Sequence, residues 1–174
     1  MEATQVYTNA LDDSWGVVLK ATDGLTQDEL AKRPTDQANS IAWMLWHMTR
    51  VEDAIVSGRL TGQPQAWVAQ KWHQRFGMPD DTQATGGRQT AEDVAAFQAP
   101  SRDAMLGYAS AVRDTTRSYL QKVTSEDLDE QVEWFRGGTA PKSRFLDLVL
   151  KEHQQHAGQI AYVRGLIRGM DGIF

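Results

Sequence analysis

Apolar residues recur at intervals of three and four along four long stretches of this chain, a spacing that predicts an all-α four-helix bundle. The first stretch runs from about Gln5 to Ala21, where Tyr7, Leu11, Trp15 and Val18 fall on one side. The second opens at a cap on Asn39 or Ser40 and continues to about Ser57, with Gly58 expected to stop it. It carries Ile41, Trp43, Met44, Leu45, Met48, Val51 and Ile55 and is the most apolar early segment. The third spans about Ser101 to Lys122, with Met105, Ala109, Val112, Thr116 and Tyr119 in register and Pro100 just ahead. The fourth covers Lys142 to Arg168, carries Phe145, Leu148, Val149, Ile160, Val163, Leu166 and Ile167, and is followed by Gly169.

Shorter features lie between these stretches. Thr26 with Glu29 three residues on forms a capping box that opens a short helix to Arg33, and Pro34 helps close it. From Leu60 to Ala99 the chain is rich in Gly, Gln, Thr and Asp, with a short helix expected only at Ala91 to Phe97, capped by Thr90. A connection of this length predicts a segment that crosses over the bundle or covers a site. Ser125 to Glu130 adds a turn, and Val132 to Ala140, with Trp134, Phe135, Gly137 and Gly138, reads as a turn or small hairpin. No internal repeat interrupts the pattern, so residues 1–174 are read as one domain with a substantial core.

Composition narrows the function. The formal net charge is -5, so there is no basic excess to neutralise phosphates and nucleic-acid binding lacks its main source of affinity. The opening MEATQVYTNALDDSW has neither the basic nor the apolar region of a secretion signal, and no stretch approaches a membrane span; the expectation is a cytoplasmic protein with no membrane partner. The chain has no cysteine, which excludes disulfides, thiolate metal ligands and a cysteine nucleophile. Thiol chemistry would need a thiol from outside.

Of the four histidines, three fall in core-forming helices. His47 shares a helix face with Trp43, Met44 and Val51, which turns it inward or toward the mouth of the bundle. At 100° per residue, His156 falls near the centre of the apolar stripe of the last helix, with Glu152 and His153 about 50° to either side. Glu152 is four residues from His156 and His153 is three, and either spacing presents two ligands to one cation, so periodicity leaves the third ligand open. Histidines with a further histidine or a carboxylate suit Zn²⁺, Ni²⁺ or Fe²⁺. A di-iron site of ferritin type would need paired Glu-x-x-His motifs and more glutamates than this pattern offers.

Two segments, NSIAWMLWHMTRVEDAIV from Asn39 to Val56 and KEHQQHAGQIAYVRGLIRG from Lys151 to Gly169, resemble the second and last helices of the DinB/YfiT-like superfamily, and the resemblance covers most of the chain. It implies an up-down-down-up bundle, often a homodimer, with a divalent metal near one end. It also implies thiol-dependent chemistry, such as transfer of bacillithiol or mycothiol or a mycothiol-dependent isomerisation. Members with an intact triad carry His-x-x-x-His in the last helix; aligned on His156, this chain has Glu152 at the first position. The family register therefore ranks His47, Glu152 and His156 first, His153 with a local shift second, and a weakened site third.

Further candidates surround that set. Trp43 and Trp46 flank His47 and would wall a substrate pocket. Gln159 lies one turn beyond His156 and would orient a ligand by a hydrogen bond. In the crossover, His73 is a candidate fourth ligand or general base and Arg75 a candidate partner for a substrate carboxylate; no residue is assigned as catalytic. The expected function is a divalent-metal-dependent transferase that joins a low-molecular-weight thiol to a small electrophile. The alternative is a non-catalytic, stress-related bundle that binds a metal or ligand.

Overall fold

Two apolar clusters, one toward each end of the molecule, are joined by four long helices in a computed structural model that describes residues 2–135 and 137–169. The long helices are α1 (Ala3–Thr22), α3 (Ile41–Asp53), α7 (Arg102–Leu120) and α9 (Lys142–Arg168). Shorter ones, α2 (Gln27–Ala31), α4 (Ala66–Ala69), α5 (Trp72–Arg75), α6 (Ala91–Ala96) and α8 (Ser125–Asp129), sit in the connections. The strands β1 (Gln131–Glu133) and β2 (Thr139–Pro141) form the antiparallel hairpin expected near Gly137 and Gly138.

Local chemistry sets the helix starts. The Ser40 hydroxyl accepts the Trp43 backbone N–H and so begins α3, and Thr26 and Thr90 each form a full capping box. The expected stop at Gly58 is not used. The helix continues past it as a π-helical stretch, Ala54–Leu60. A glycine ends a helix by entering the left-handed region, and here Gly62, with φ of +65°, takes that conformation rather than Gly58.

Side-chain contacts give the helix directions. Tyr7 near the start of α1 donates to Asp147 near the start of α9, and Gly24 just past the end of α1 lies beside Arg168 at the end of α9, so these two run parallel. Arg102 donates to the Thr22 carbonyl and Arg113 to Asp12, so α7 runs against α1. His47 meets His156 while Glu52 meets His153, so α3 runs against α9. The order is therefore up-down-down-up. Because α3 and its neighbour α7 point the same way, the chain must travel back along the bundle between them, roughly 28 Å for a 19-residue helix at 1.5 Å per residue. The long crossover makes that return. A layer of buried polar groups, Arg50, Glu52, Asp53, Arg113, Thr116 and His153, separates the two apolar clusters.

Candidate metal centre

His47 is the one residue between Ile41 and Arg50 that keeps some exposure, at the side of α3 that faces α9. There it meets Glu152 and His156, one turn apart on α9. His47 Nε2 lies 3.4 Å from Glu152 Oε2, and His156 Nε2 lies 3.3 Å from the same oxygen. The two imidazole rings stand edge to face, with centroids 5.0 Å apart. When the rings are doubly protonated, hydrogen bonds from His156 and then His47 hold the Glu152 carboxyl far below the usual carboxylate range, outweighing the opposite push of partial burial. Glu152 is therefore an anion at neutral pH.

The far nitrogen of each ring is also held. His47 Nδ1 donates to the backbone carbonyl of Thr85, and His156 Nδ1 is 2.7 Å from Gln159 Oε1. A carbonyl only accepts, so the neutral His47 ring carries its proton on Nδ1 and turns the Nε2 lone pair toward Glu152. A lone pair facing a carboxylate is repulsive unless the ring takes a second proton or a cation lies between them. The ligand spacing fits a cation. Around a tetrahedral ion with bonds of about 2.1 Å, ligand atoms stand about 3.4 Å apart. Two imidazoles and a carboxylate with their outer hydrogen bonds in place can hold a divalent ion, and the candidate ligand atoms of these three residues all lie within 4.8 Å of one another.

His153 does not join them. It is 2% exposed and its Nε2 lies 2.8 Å from Glu52 Oε2, in the buried polar layer. Arg113 reaches the other Glu52 oxygen at 3.2 Å and continues to Asp12 at 2.5 Å. Burial pushes the Glu52 carboxyl up, but the charges of His153 and Arg113 outweigh it and bring the pKa down to about 2.

The aromatic candidates split in the same way. Trp43 stacks on His47 at 4.9 Å and 15° and donates to Gln89. Trp46 is buried and packs on Phe97. In α5, His73 Nδ1 is 2.9 Å from the Trp67 carbonyl and Arg75 stacks over Trp72, so neither belongs to the cluster.

Sequence patterns did not single out Thr85, Gly86 and Gln89, which form a strap across Trp43, Trp46 and His47. Gly86 has φ of +89°, and a Cβ there would lie 2.7 Å from Trp46 and 3.1 Å from His47 Nδ1. The glycine pair Gly86–Gly87 was the available signal. Arg50 and Asp53 also went unread, although charges inside the most apolar helix mark a buried polar function. Gln159 additionally lines a groove of about 540 Å³ with Asn39, Met44, Gln155 and Val163. The larger groove, about 600 Å³ between α1 and α9, touches none of the three clustered residues.

Comparison with known proteins agrees with this architecture. The sequence model of the DinB superfamily matches residues 10–160. A conserved protein of Enterococcus faecalis with a crystal structure superposes with a TM-score of 0.86 at 24% identity, over 97% of this chain and 99% of that one. At that identity the likeness concerns the fold alone. No functionally curated protein matches.

Proposed function

The chain belongs to the DinB superfamily, and from that premise we propose that it is a divalent-metal-dependent transferase that joins an exogenous low-molecular-weight thiol to a small electrophile. His47, Glu152 and His156 are the proposed ligands. The observation that carries this reading is the convergence of two imidazole Nε2 atoms on one Glu152 oxygen at 3.4 and 3.3 Å, with each Nδ1 already engaged.

A zinc, nickel or iron(II) ion held there would lower the pKa of a thiol and keep its sulfur facing the electrophile. The residues supply the rest. Glu152 offsets one positive charge, while the Thr85 carbonyl and Gln159 keep both rings oriented. Gln159 connects His156 to the groove between α3 and α9, which is the proposed seat of the electrophile. In the transfer, the thiol loses its proton to solvent, the sulfur electron pair forms the new bond to carbon, and the leaving group departs with its bonding pair. No oxidant or reductant is needed. The thiol must come from outside because the chain has no cysteine.

The test begins with the metal content of purified protein and of His47→Ala and His156→Ala. Loss of metal from both variants is expected, and full retention in both overturns the ligand assignment. Thiol consumption is then followed with several uncharged electrophiles. Turnover that depends on added Zn²⁺ or Ni²⁺ supports the transferase. Tight metal binding without turnover in any pairing favours the binding-only reading, for which the glutamate in place of the family's histidine is the supporting feature.

A further inference from the structure

The strap that covers His47 is held from below by one side chain. Arg50 is fully buried, stacked on Trp67 at 4.6 Å, with Asp53 Oδ2 3.7 Å from its Nη1. Each of its five N–H groups has its own acceptor. Nε donates to the Ala84 carbonyl at 3.3 Å. Nη2 donates to the Asp81 and Thr82 carbonyls, each at 3.2 Å. Nη1 donates to Gln65 Oε1 at 2.9 Å and to the Tyr108 hydroxyl at 3.1 Å. Three acceptors are thus carbonyls of residues 81–84, the stretch that leads into Thr85 and forms part of the strap, and the next carbonyl along, that of Thr85, receives His47 Nδ1. Gln65 reinforces the grip by donating to the Thr82 carbonyl.

We infer that Arg50 is a positioning residue for His47: its guanidinium sets the strap backbone at residues 81–84, and the strap fixes the tautomer and orientation of the His47 ring through the Thr85 carbonyl. Only arginine offers five donors in a rigid planar fork, so a lysine at the same place keeps the charge opposite Asp53 but not the strap geometry. For metal affinity the inference rests on the proposed metal centre. For the tautomer it does not, because the Nδ1 bond exists whatever the cluster binds.

Two variants separate the links. Arg50→Lys loosens the strap from below. Gly86→Ala places a Cβ against Trp46 and His47 and lifts the strap from above. Long-range proton–nitrogen NMR spectra of the metal-free protein near pH 8, above the usual histidine range of about 6.5, report which nitrogen carries the proton. Wild-type His47 is expected as the Nδ1–H form. In both variants the His47 signals should move toward a mixture of tautomers, while His156, held by Gln159 rather than the strap, keeps its wild-type pattern. A merely structural role for Arg50 would not shift one histidine and spare the other. Zinc affinity should fall roughly 10- to 100-fold, the usual cost of losing an outer hydrogen-bond partner.

A pure Nδ1–H His47 in folded Arg50→Lys and Gly86→Ala overturns the inference. If Arg50→Lys does not fold, Gln65→Met replaces it, since that change removes the amide holding both Arg50 and Thr82; a smaller shift in the same direction supports the inference and no shift overturns it. A tautomer shift in the variants together with a wild type that binds no zinc overturns the metal centre and leaves the positioning role standing. Tight zinc binding by the wild type with a pure Nδ1–H His47 in both folded variants does the reverse.

Discussion

The carboxylate of Glu52 keeps its charge in the middle of the bundle because His153 reaches one oxygen and Arg113 the other. Removing the charge strands two donors in the polar layer, so Glu52→Gln should cost about 3 kcal/mol in urea unfolding. The pH dependence has a definite sign. The folded pKa of about 2 lies below an unfolded value near 4.3, so the stabilisation is present above the unfolded value and is lost as pH falls through the window toward 2. Acid titration of metal-free wild type should therefore lose more stability across that window than Glu52→Gln does. The neighbouring pair on α9 gives a cleaner contrast. Glu152→Gln keeps the shape but removes the proposed anionic ligand, and zinc affinity by calorimetry should fall at least about 100-fold, beyond the cost of an outer partner. His153→Gln should destabilise the fold and leave zinc affinity unchanged. The opposite pattern would transfer the third ligand to His153.

Elements in the crossover depend on groups distant in sequence. The Asp53 carboxylate accepts the backbone N–H groups of Ala66 and Trp67 at 3.0 and 2.9 Å and so caps α4 from outside its own segment. Its own N-cap residue, Gln65, makes no side-chain cap. The α5 helix packs Trp72 onto α7 at Gly107, where a Cβ would stand 2.9 Å from the indole. Alanine inside a helix is favoured over glycine by about 1 kcal/mol, but overpacking costs about 1–3 kcal/mol. The contact should win. Gly107→Ala is expected to lose about 1 kcal/mol by urea denaturation, and an increase in stability would show that Trp72 yields freely.

At the scale of the whole molecule, an ion bound at the proposed centre would join α3 to α9 and should stabilise the fold by about 2.7 kcal/mol at one hundred times its Kd. For a chain of this size that is a rise in Tm of about 5–10 °C, reversed by a chelator and absent in His156→Ala. The four long helices were legible in the sequence because an apolar stripe repeated over many turns can be buried in only one way. The inward turn of His47 and His156 followed from the same periodicity, since each shares a face with large apolar residues. The capping box at Thr26 and the cap at Thr90 were legible for a similar reason: the groups they engage lie three residues away. The one-turn helices α4 and α5 were not, because four residues carry no period and α4 takes its cap from Asp53. The choice between Glu152 and His153 also lay beyond periodicity, which placed them symmetrically about one stripe. What differs between them is what α3 presents to each, His47 beside Glu152 and the sealed charge of Glu52 beside His153, and that pairing is why Glu152 is the proposed ligand. The strap belongs with them, for Arg50 and the carbonyls it gathers are 31 to 34 residues apart. The sequence by itself determined the helices and the faces they bury, because those depend on neighbours within a turn or two. Only the tertiary structure decided which buried polar groups meet, because that depends on the register of helices packed from opposite ends of the chain.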